Sequence, residues 1–175
     1  MNRIAKFYKV SFEQFLNDWI DTFPDFNFGS PECVKILENI WGNISMPKRS
    51  TANSAGYDFV TPTRFELEPG QSIKIPTGIK CQFNYNDWVL TIHPRSSLGF
   101  KYQIGLANTT GIIDSDYINA DNEGHIMIKL VNRGDKVYSA ECGDKIAQGI
   151  FLPYGITIDD EASGERTGGF GSTGR

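Results

Sequence analysis

Cysteine is scarce in this sequence, and the spacing of the cysteines argues against the usual metal and disulfide frameworks. The 175-residue chain has three, Cys33, Cys81 and Cys142, with no C-x-x-C pair. Neither a structural zinc site nor a disulfide scaffold is therefore expected. The N-terminal region has no apolar run long enough for a signal peptide or a membrane span. We expect a cytoplasmic protein with reduced thiols and no contact with a membrane.

An excess of positive charge is also lacking. Lysine and arginine number 17 against 21 aspartates and glutamates, which gives a net charge of −4. Broad affinity for nucleic acid is therefore not expected, although a local basic site remains open. Apolar residues make up 39% of the chain, which is enough for a packed core. The length predicts one domain, or one domain with an appendage.

Several catalytic and ligand-binding motifs are absent or incomplete. There is no G-x-S-x-G nucleophile elbow and no P-loop lysine motif. Asn119-x-Asp121-x-Glu123-Gly124 begins like a calcium loop, but its twelfth position is Leu130, which cannot supply the bidentate carboxylate. Gly169-x-Gly171-x-x-Gly174 has the dinucleotide-binding spacing without the helix that should follow it. None of these functions is predicted.

Helical periodicity is confined to the first quarter of the chain. The stretch SFEQFLNDWIDTF places six apolar residues on one helical face: Phe12, Phe15, Leu16, Trp19, Ile20 and Phe23. Ser11 and Gln14 form a capping-box start, and Pro24 follows the end. A second helix is predicted over PECVKILENIW, with Pro31 in its first turn. We predict a helical N-terminal extension over residues 1–46, which packs on its own chain or on a partner.

Residues 47–160 show a period of two instead. Segments such as QSIKIPTGIKCQF and GHIMIKLVN alternate apolar and polar residues, and turn signals such as Pro69-Gly70 separate them. Many short strands with no helical pattern between them predict an all-β sandwich or barrel. Residues 161–175 form a Gly-rich tail, which is either a flexible terminus or a segment that orders over a ligand.

Two clusters in the β region carry candidate chemistry. Asp114 and Asp116 share a face if the segment is extended, and one of two close carboxylates can have a raised pKa suited to a general base. A solvated turn is the alternative. Arg95, Ser96 and Ser97 follow a strand directly and offer a guanidinium and two hydroxyls to phosphate oxygens, unless they only cap a turn. His93 and His125 have no motif around them and are predicted to be structural.

Five segments, in the order AGYDF, PRSSLGF, GIIDSDY, GDKIAQGIF and RTGGFGSTG, together resemble the motifs of the trimeric dUTPase family. The resemblance runs from about Pro47 to the C-terminus. It implies a jelly-roll-like β-barrel, followed by a mobile tail, that assembles as a homotrimer with active sites at subunit interfaces. It also implies hydrolysis of dUTP to dUMP and pyrophosphate with Mg²⁺, which keeps uracil out of DNA and supplies dUMP for thymidylate synthesis.

The resemblance assigns roles to individual residues. Asp114 matches the general base for the attacking water, Asn108 the position that hydrogen-bonds uracil, and Tyr117 the aromatic wall that excludes a 2′-hydroxyl. Segments 111–114, with Gly111 and Ile113, and 124–128 are expected to form the hairpin that receives the base. Asp58 is expected to reach Mg²⁺ only through water. Phe170 matches the residue that stacks on uracil. The other matches bind the substrate, chiefly its phosphates: Arg95, Ser96, Ser97, Gln148, Arg166, Gly171, Ser172 and Thr173.

Two departures from the family pattern stand out. Ser97 replaces the usual glycine of R-S-G-L and adds a side chain beside the phosphates. Residues Ile118 to Glu123 are an apparent insertion after Tyr117. The R-S-S-L block also fits a dCTP deaminase of the same superfamily, although DSDY and the phenylalanine-bearing tail favour a dUTPase. A third possibility is a non-enzymatic module that uses its N-terminal helices to bind a partner.

Overall fold

The computed structural model describes residues 2–169, which form twelve strands, three α-helices and one 3-10 helix. The helices are α1 (Phe12–Thr22), α2 (Pro31–Gly42) and α3 (Ser96–Tyr102), and the 3-10 helix spans Tyr117–Asn119. The first six strands are β1 (Ala5–Lys9), β2 (Lys48–Arg49), β3 (Tyr57–Val60), β4 (Phe65–Leu67), β5 (Ser72–Pro76) and β6 (Ile79–Phe83). The others are β7 (Trp88–Pro94), β8 (Ile104–Leu106), β9 (Gly111–Ile113), β10 (Met127–Asn132), β11 (Tyr138–Ala140) and β12 (Lys145–Pro153).

The strands pair into four antiparallel sheets. The largest has the order β2-β3-β12-β7-β9, and the others are β5-β10-β8, β1-β6 and β11-β4. The prediction of a mainly β protein is confirmed. Across residues 2–169 the sheets do not close into one barrel, so the jelly-roll barrel is not confirmed.

One hydrophobic core lies between the sheets, and the alternation read from the sequence explains it. Along β10, Ile128 and Leu130 are buried while Lys129 between them is exposed. Phe59 of β3 and Leu90 of β7 are also fully buried in this core. Each such side chain contributes roughly 1.5–3 kcal/mol when it leaves water. No helix in residues 2–169 combines the length and the apolar character that a bilayer-crossing segment needs.

The N-terminal extension forms both predicted helices and packs on its own chain. Ser11 caps α1, because its Oγ accepts a hydrogen bond from the Gln14 backbone N–H at 3.1 Å. Phe15 and Trp19 of α1 and Leu37 of α2 form a second buried cluster. Packing of these aromatics within the chain, one of the two alternatives left open by the sequence, is therefore observed.

The extension also contains a strand that the sequence analysis did not predict. AKFYK forms strand β1, which pairs antiparallel with β6 from Ala5 opposite Phe83 to Lys9 opposite Ile79. Phe7 of this strand packs its ring against Tyr57 at 5.5 Å between centroids. Five residues of alternating character precede α1, and the strong helical pattern that follows hid this short period-two signal.

The sequence also failed to indicate α3. This helix begins at Ser96 directly after β7, so Ser96 and Ser97 lie in its first turn and Arg95 is its N-cap residue. Only Leu98 is buried on it, and Phe100 is exposed. Seven residues with one buried position are too few to show a helical period.

Glu123 joins the start of α1 to the β region. Its carboxylate accepts the Ser11 backbone N–H at 3.0 Å, contacts the Ser11 hydroxyl, and lies 2.7 Å from the Lys80 ammonium. Partial burial alone would raise the pKa of Glu123, but the contacts with Lys80 and Ser11 outweigh it and lower the pKa to about 2. The ionised form is therefore favoured by folding.

Replacing Glu123 by Gln is expected to lower the free energy of unfolding by about 1–2 kcal/mol at pH 7. Because the folded pKa is about 2 and the reference value is 4.5, the stabilisation is complete above about pH 5 and declines as the pH falls from 4.5 towards 2. In urea unfolding, the difference in the free energy of unfolding between the parent and the variant should shrink as the pH falls over that range. Glu38→Gln, at an exposed position on α2, is the control and should show no such pH-dependent difference.

Candidate active site

Asp58, Arg95, Lys145 and Ser50 form a compact polar group, here called the Asp58 cluster. Asp58 on β3 is only 7% exposed. Its carboxylate pairs with the Arg95 guanidinium, lies 2.8 Å from the Lys145 ammonium, and accepts the Ser50 hydroxyl at 2.7 Å. Burial alone would raise the pKa of Asp58, but the hydrogen bonds from Lys145 and Ser50 and the charge of Arg95 lower it overall. The carboxylate thus stays ionised and fixes the guanidinium.

Gln148 joins the Asp58 cluster from the neighbouring strand. On β12 it lies opposite Asp58 of β3 and opposite His93 of β7. Its amide donates a hydrogen bond to the Pro94 carbonyl at 3.3 Å. A Cβ at Gly56 would lie 2.5 Å from Gln148 Oε1, so glycine in the AGYDF motif leaves room for this side chain. The structure therefore places Asp58, Arg95 and Gln148, which come from three different motifs, on neighbouring strands or strand ends of one chain.

Sequence reasoning missed Lys145 and Ser50. Lys145 stands three residues before Gln148, and strict alternation would place the two side chains on opposite faces of the strand. A bulge between Lys145 and Ala147 shifts the register and places Lys145 beside Asp58. The motif GDKIAQGIF contained the lysine, but nothing in its pattern indicates the bulge.

Asp114, Asp116, Arg166 and Tyr117 form a second group, the Asp114 cluster. The Arg166 guanidinium donates to Asp114 Oδ2 and to Asp116 Oδ1, each at 3.2 Å. Its Cζ lies 5.3 Å from the centroid of the Tyr117 ring, which is a cation–π distance. The Asp114 and Asp116 side chains are 47% and 50% exposed. The burial of Asp114 that a strong general base requires is therefore not provided by this chain alone.

A cavity of about 850 Å³ opens beside the Asp114 cluster. That volume lies within the range that small-molecule sites occupy. The lining includes carboxylates, a guanidinium, an amide and apolar side chains, among them Asn86, Val89, Ile112, Asp114, Tyr154 and Arg166. The cavity therefore offers a cationic group, a carboxylate pair and an apolar wall in one place.

One expectation for this region needs correction, and the assignment of Arg166 to a phosphate stays a prediction. In the chain alone the Arg166 guanidinium is bound to Asp114 and Asp116. Segments 111–114 and 124–128 were expected to pair as a hairpin. Instead β9 pairs with β7, and β10 pairs with β5 and β8, so the two segments belong to different sheets. Sequence order alone could not show which strands β7 and β5 would take as partners.

The two clusters lie at opposite ends of β7. Ile113 is opposite Leu90, so Asp114 comes next to the Val89 end of the strand, while Arg95 directly follows Pro94 at the other end. About six residues of strand at about 3.3 Å each separate them by about 20 Å. One chain therefore does not bring Asp114 and Arg95 to the same ligand atom.

Asn108 lies exposed in the turn between β8 and β9. The predicted positions Phe170, Gly171, Ser172 and Thr173 fall outside the described residues.

The described side chains do not form a protein cage for a metal. Residues 2–169 contain no group of three or more His, Cys, Asp or Glu side chains placed to hold a metal ion. At Asp58 the two neighbouring cations, Arg95 and Lys145, would repel a directly bound divalent ion. Contact through metal-bound water fits this site, and inner-sphere ligation does not.

Comparison with known proteins gives a consistent result. The family profile for dUTPase matches residues 42–174. Deoxyuridine 5'-triphosphate nucleotidohydrolase from Lactococcus lactis is 42% identical over 134 residues, covering 75% of this chain and 89% of that protein. The enzyme of the same name from Actinobacillus pleuropneumoniae serotype 5b is 40% identical over 151 residues, covering 81% of this chain and 96% of that protein.

Solved structures agree in fold. The crystal structure of dUTPase from Streptococcus mutans matches with a TM-score of 0.58 at 39% identity, covering 65% of this chain and 88% of that chain. The dUTPase from phage phi11 of S. aureus matches with the same TM-score at 22% identity, covering 70% of this chain and 91% of that chain. At that identity the phage protein shows likeness of fold alone.

Proposed function

Because this chain belongs to the dUTPase family, we propose that it hydrolyses dUTP to dUMP and pyrophosphate. The observation that carries the proposal is the match of residues 42–174 to the family, which includes every segment that builds the two clusters. The reaction keeps uracil out of DNA and supplies dUMP for thymidylate synthesis.

In the proposed reaction Asp114 accepts a proton from the water that attacks the α-phosphorus. The new P–O bond forms as the bond to the bridging oxygen breaks, and pyrophosphate leaves. In the described chain Asp114 is held by Arg166. A γ-phosphate carries more negative charge than one carboxylate, so substrate would compete for the Arg166 guanidinium and release Asp114 to act on water. The charge and geometry of this cluster support the role without a buried carboxylate in the resting chain.

We propose that the Asp58 cluster holds the phosphate chain. Arg95 is fixed by Asp58, and Gln148, Ser96 and Ser97 lie beside it as further donors. Mg²⁺ bound with the triphosphate would neutralise the charge of the leaving pyrophosphate. Asp58 would reach the ion's water molecules only, which the positive charges of Arg95 and Lys145 favour. Ser97 then adds a hydroxyl in the first turn of α3.

The nucleoside is assigned to the region around β9. Asn108 and Gly111 are proposed to read the uracil edge, with Ile113 and Tyr117 forming apolar walls. Glycine at position 111 allows close packing, because a Cβ there would lie 3.1 Å from the Ile92 Cβ. Tyr117 is 4% exposed and its hydroxyl makes two hydrogen bonds, which supports a fixed ring that excludes a 2′-hydroxyl. The tail residues Phe170, Gly171, Ser172 and Thr173 are proposed to close over the bound nucleotide.

We also propose a homotrimer with shared active sites. The separation of about 20 Å between Arg95 and Asp114 within one chain supports this arrangement, since a site that uses both must draw them from different chains. The exposed apolar side chains of Ile112, Leu152 and Ile156 offer surface for such contacts. A cytoplasmic location is proposed as well, in keeping with three unpaired cysteines.

The proposed function is tested by pyrophosphate release from dUTP and the four standard deoxynucleoside triphosphates, paired with a molar mass from light scattering. Pyrophosphate from dUTP alone and a mass near three times 19.6 kDa are expected. Ammonia release from dCTP without pyrophosphate from dUTP would identify the deaminase instead. Absence of both reactions would leave a binding module.

Gly56→Ala is expected to weaken substrate binding without unfolding the protein. The new Cβ would lie 2.5 Å from Gln148 Oε1, which is the end of a flexible side chain and can rotate away. We expect the KM for dUTP to rise about tenfold with little change in the thermal midpoint. Gly155→Ala is the matched control, because a Cβ there meets no atom within 4 Å. An unchanged KM would remove Gln148 from the phosphate site.

A further inference from the structure

An element that precedes the family match contacts the segment directly after Tyr117. The family match begins at residue 42, so α1 precedes it, whereas residues 118–123 lie within the matched range. Ser11, the N-cap residue of α1, is bound to Glu123 at the end of that segment. The extension is therefore attached to the segment that follows Tyr117.

A buried hydrogen-bond pair makes the connection tighter. Asp18 of α1 has its Oδ2 atom 2.5 Å from Nδ1 of His125, which is fully buried. His125 Nε2 accepts the Gly78 backbone N–H at 2.7 Å, so Nδ1 must carry the ring proton and donate it to Asp18. Gln14, one turn earlier on α1, donates to the same Asp18 oxygen at 2.7 Å. The imidazole is thus held from both ring nitrogens.

His125 in turn holds Tyr117. The Tyr117 hydroxyl donates to the His125 carbonyl at 3.0 Å and accepts from the Asn122 amide at 2.9 Å. Between Asn122 and His125 the backbone turns sharply, and Gly124 adopts a φ of +70° with no room for a Cβ beside the Tyr117 carbonyl. A continuous set of contacts therefore runs from Asp18 through His125 to the hydroxyl of Tyr117.

We propose that Asp18 and His125 are positioning residues that fix the Tyr117 ring and thereby set the preference for deoxyribose over ribose. The inference rests on the proposed function, in which Tyr117 excludes the 2′-hydroxyl. An aromatic wall discriminates by steric exclusion, so a small displacement of the ring admits one additional oxygen. Loss of the Asp18 carboxylate removes the acceptor of a buried imidazole N–H, and we expect the turn that carries the His125 carbonyl to shift in response.

Asp18→Ala is the direct test, with kcat/KM measured for dUTP and for UTP. We expect the kcat/KM for dUTP divided by the kcat/KM for UTP to fall about tenfold, chiefly through faster hydrolysis of UTP. Asp21→Ala is the matched control. Asp21 lies on the same helix and also pairs with the β region, through Lys74. Among the described residues no hydrogen bond or ion pair joins Asp21 to His125 or Tyr117. That variant should keep the parent ratio.

Asp18→Asn separates positioning from general damage to α1. Asparagine is close to isosteric and its carbonyl oxygen still accepts the His125 N–H, so this variant should recover most of the parent ratio. Circular dichroism and the thermal midpoint establish that each variant is folded. An equal fall in the ratio for Asp18→Ala and Asp21→Ala, or no fall in either, would overturn the inference.

The NMR resonances of the Tyr117 ring give a readout that does not depend on hydrolysis. They should shift in Asp18→Ala and stay in place in Asp21→Ala. If the parent protein fails to hydrolyse dUTP, the proposed function is lost while this comparison still decides whether Asp18 positions Tyr117. If the parent hydrolyses dUTP and the resonances do not move, the positioning role fails and the proposed function stands.

Discussion

Asp114→Asn is expected to reduce the turnover of dUTP by about a thousandfold while dUTP still binds. The amide nitrogen and carbonyl of asparagine fill the same space, but neither accepts a proton from water near neutral pH. Binding should survive because Arg95 and Gln148 lie in the other cluster, at the far end of β7. Single-turnover hydrolysis measures the chemical step, and calorimetry with a non-hydrolysable dUTP analogue measures affinity.

Asp116→Asn is a close control for that substitution. Asp116 accepts from the same Arg166 guanidinium at the same 3.2 Å as Asp114, and its side chain is equally exposed. Both variants lose one carboxylate charge beside Arg166, so a difference between them reports on proton transfer. Similar turnover in the two variants would show that Asp114 contributes only charge, and the base would have to be sought elsewhere.

The second large effect is expected from mixing two inactive variants. Arg95→Ala should lose about a hundredfold or more in kcat/KM, because a guanidinium fixed by a buried carboxylate is removed from the phosphates. If each site takes Arg95 and Asp114 from different chains, trimers refolded from equal amounts of Arg95→Ala and Asp114→Asn contain some intact sites. Random assembly then restores up to about a quarter of the parent activity.

The matched control mixes Arg95→Ala with Gln148→Ala. Arg95 and Gln148 lie in one cluster of one chain, so no mixed trimer can supply both from an intact chain. That mixture should show no activity above the average of its two components. No recovery in the Arg95 and Asp114 mixture would place both residues of a site in one chain and contradict the shared-site proposal. Recovery in the control would show that Arg95 and Gln148 of one site come from different chains, against the single-chain Asp58 cluster.

Much of this architecture follows from the sequence because its signals are local. The apolar face from Phe12 to Phe23 with its Ser11 cap produces α1, and the alternation in GHIMIKLVN produces β10. The grouping of Asp58, Arg95 and Gln148 follows once three motif-bearing strands pair as neighbours. Such features depend on residues close in sequence, or on motifs whose order is informative.

Other features depend on contacts that no local pattern encodes. Lys145 reaches Asp58 only because a bulge turns its side chain to the other face of the strand. Arg166 reaches Asp114 only because the C-terminal segment folds back across the cavity. The pair between Asp18 and His125 joins residues that are 107 positions apart. His125 was predicted to be structural, which its buried hydrogen bonds confirm, but neither its partner nor its link to Tyr117 was visible in the sequence.

Strand β1 has a consequence for any attempt to study the extension by truncation. Within residues 2–169, β6 has no other strand partner, so removal of the first nine residues would expose the backbone N–H and C=O groups of a bare sheet edge. Unprotected edges template association with other chains. A shortened protein would therefore tend to aggregate whether or not the helices bind anything, and point substitutions on the outer faces of α1 and α2 are the sounder way to look for a partner.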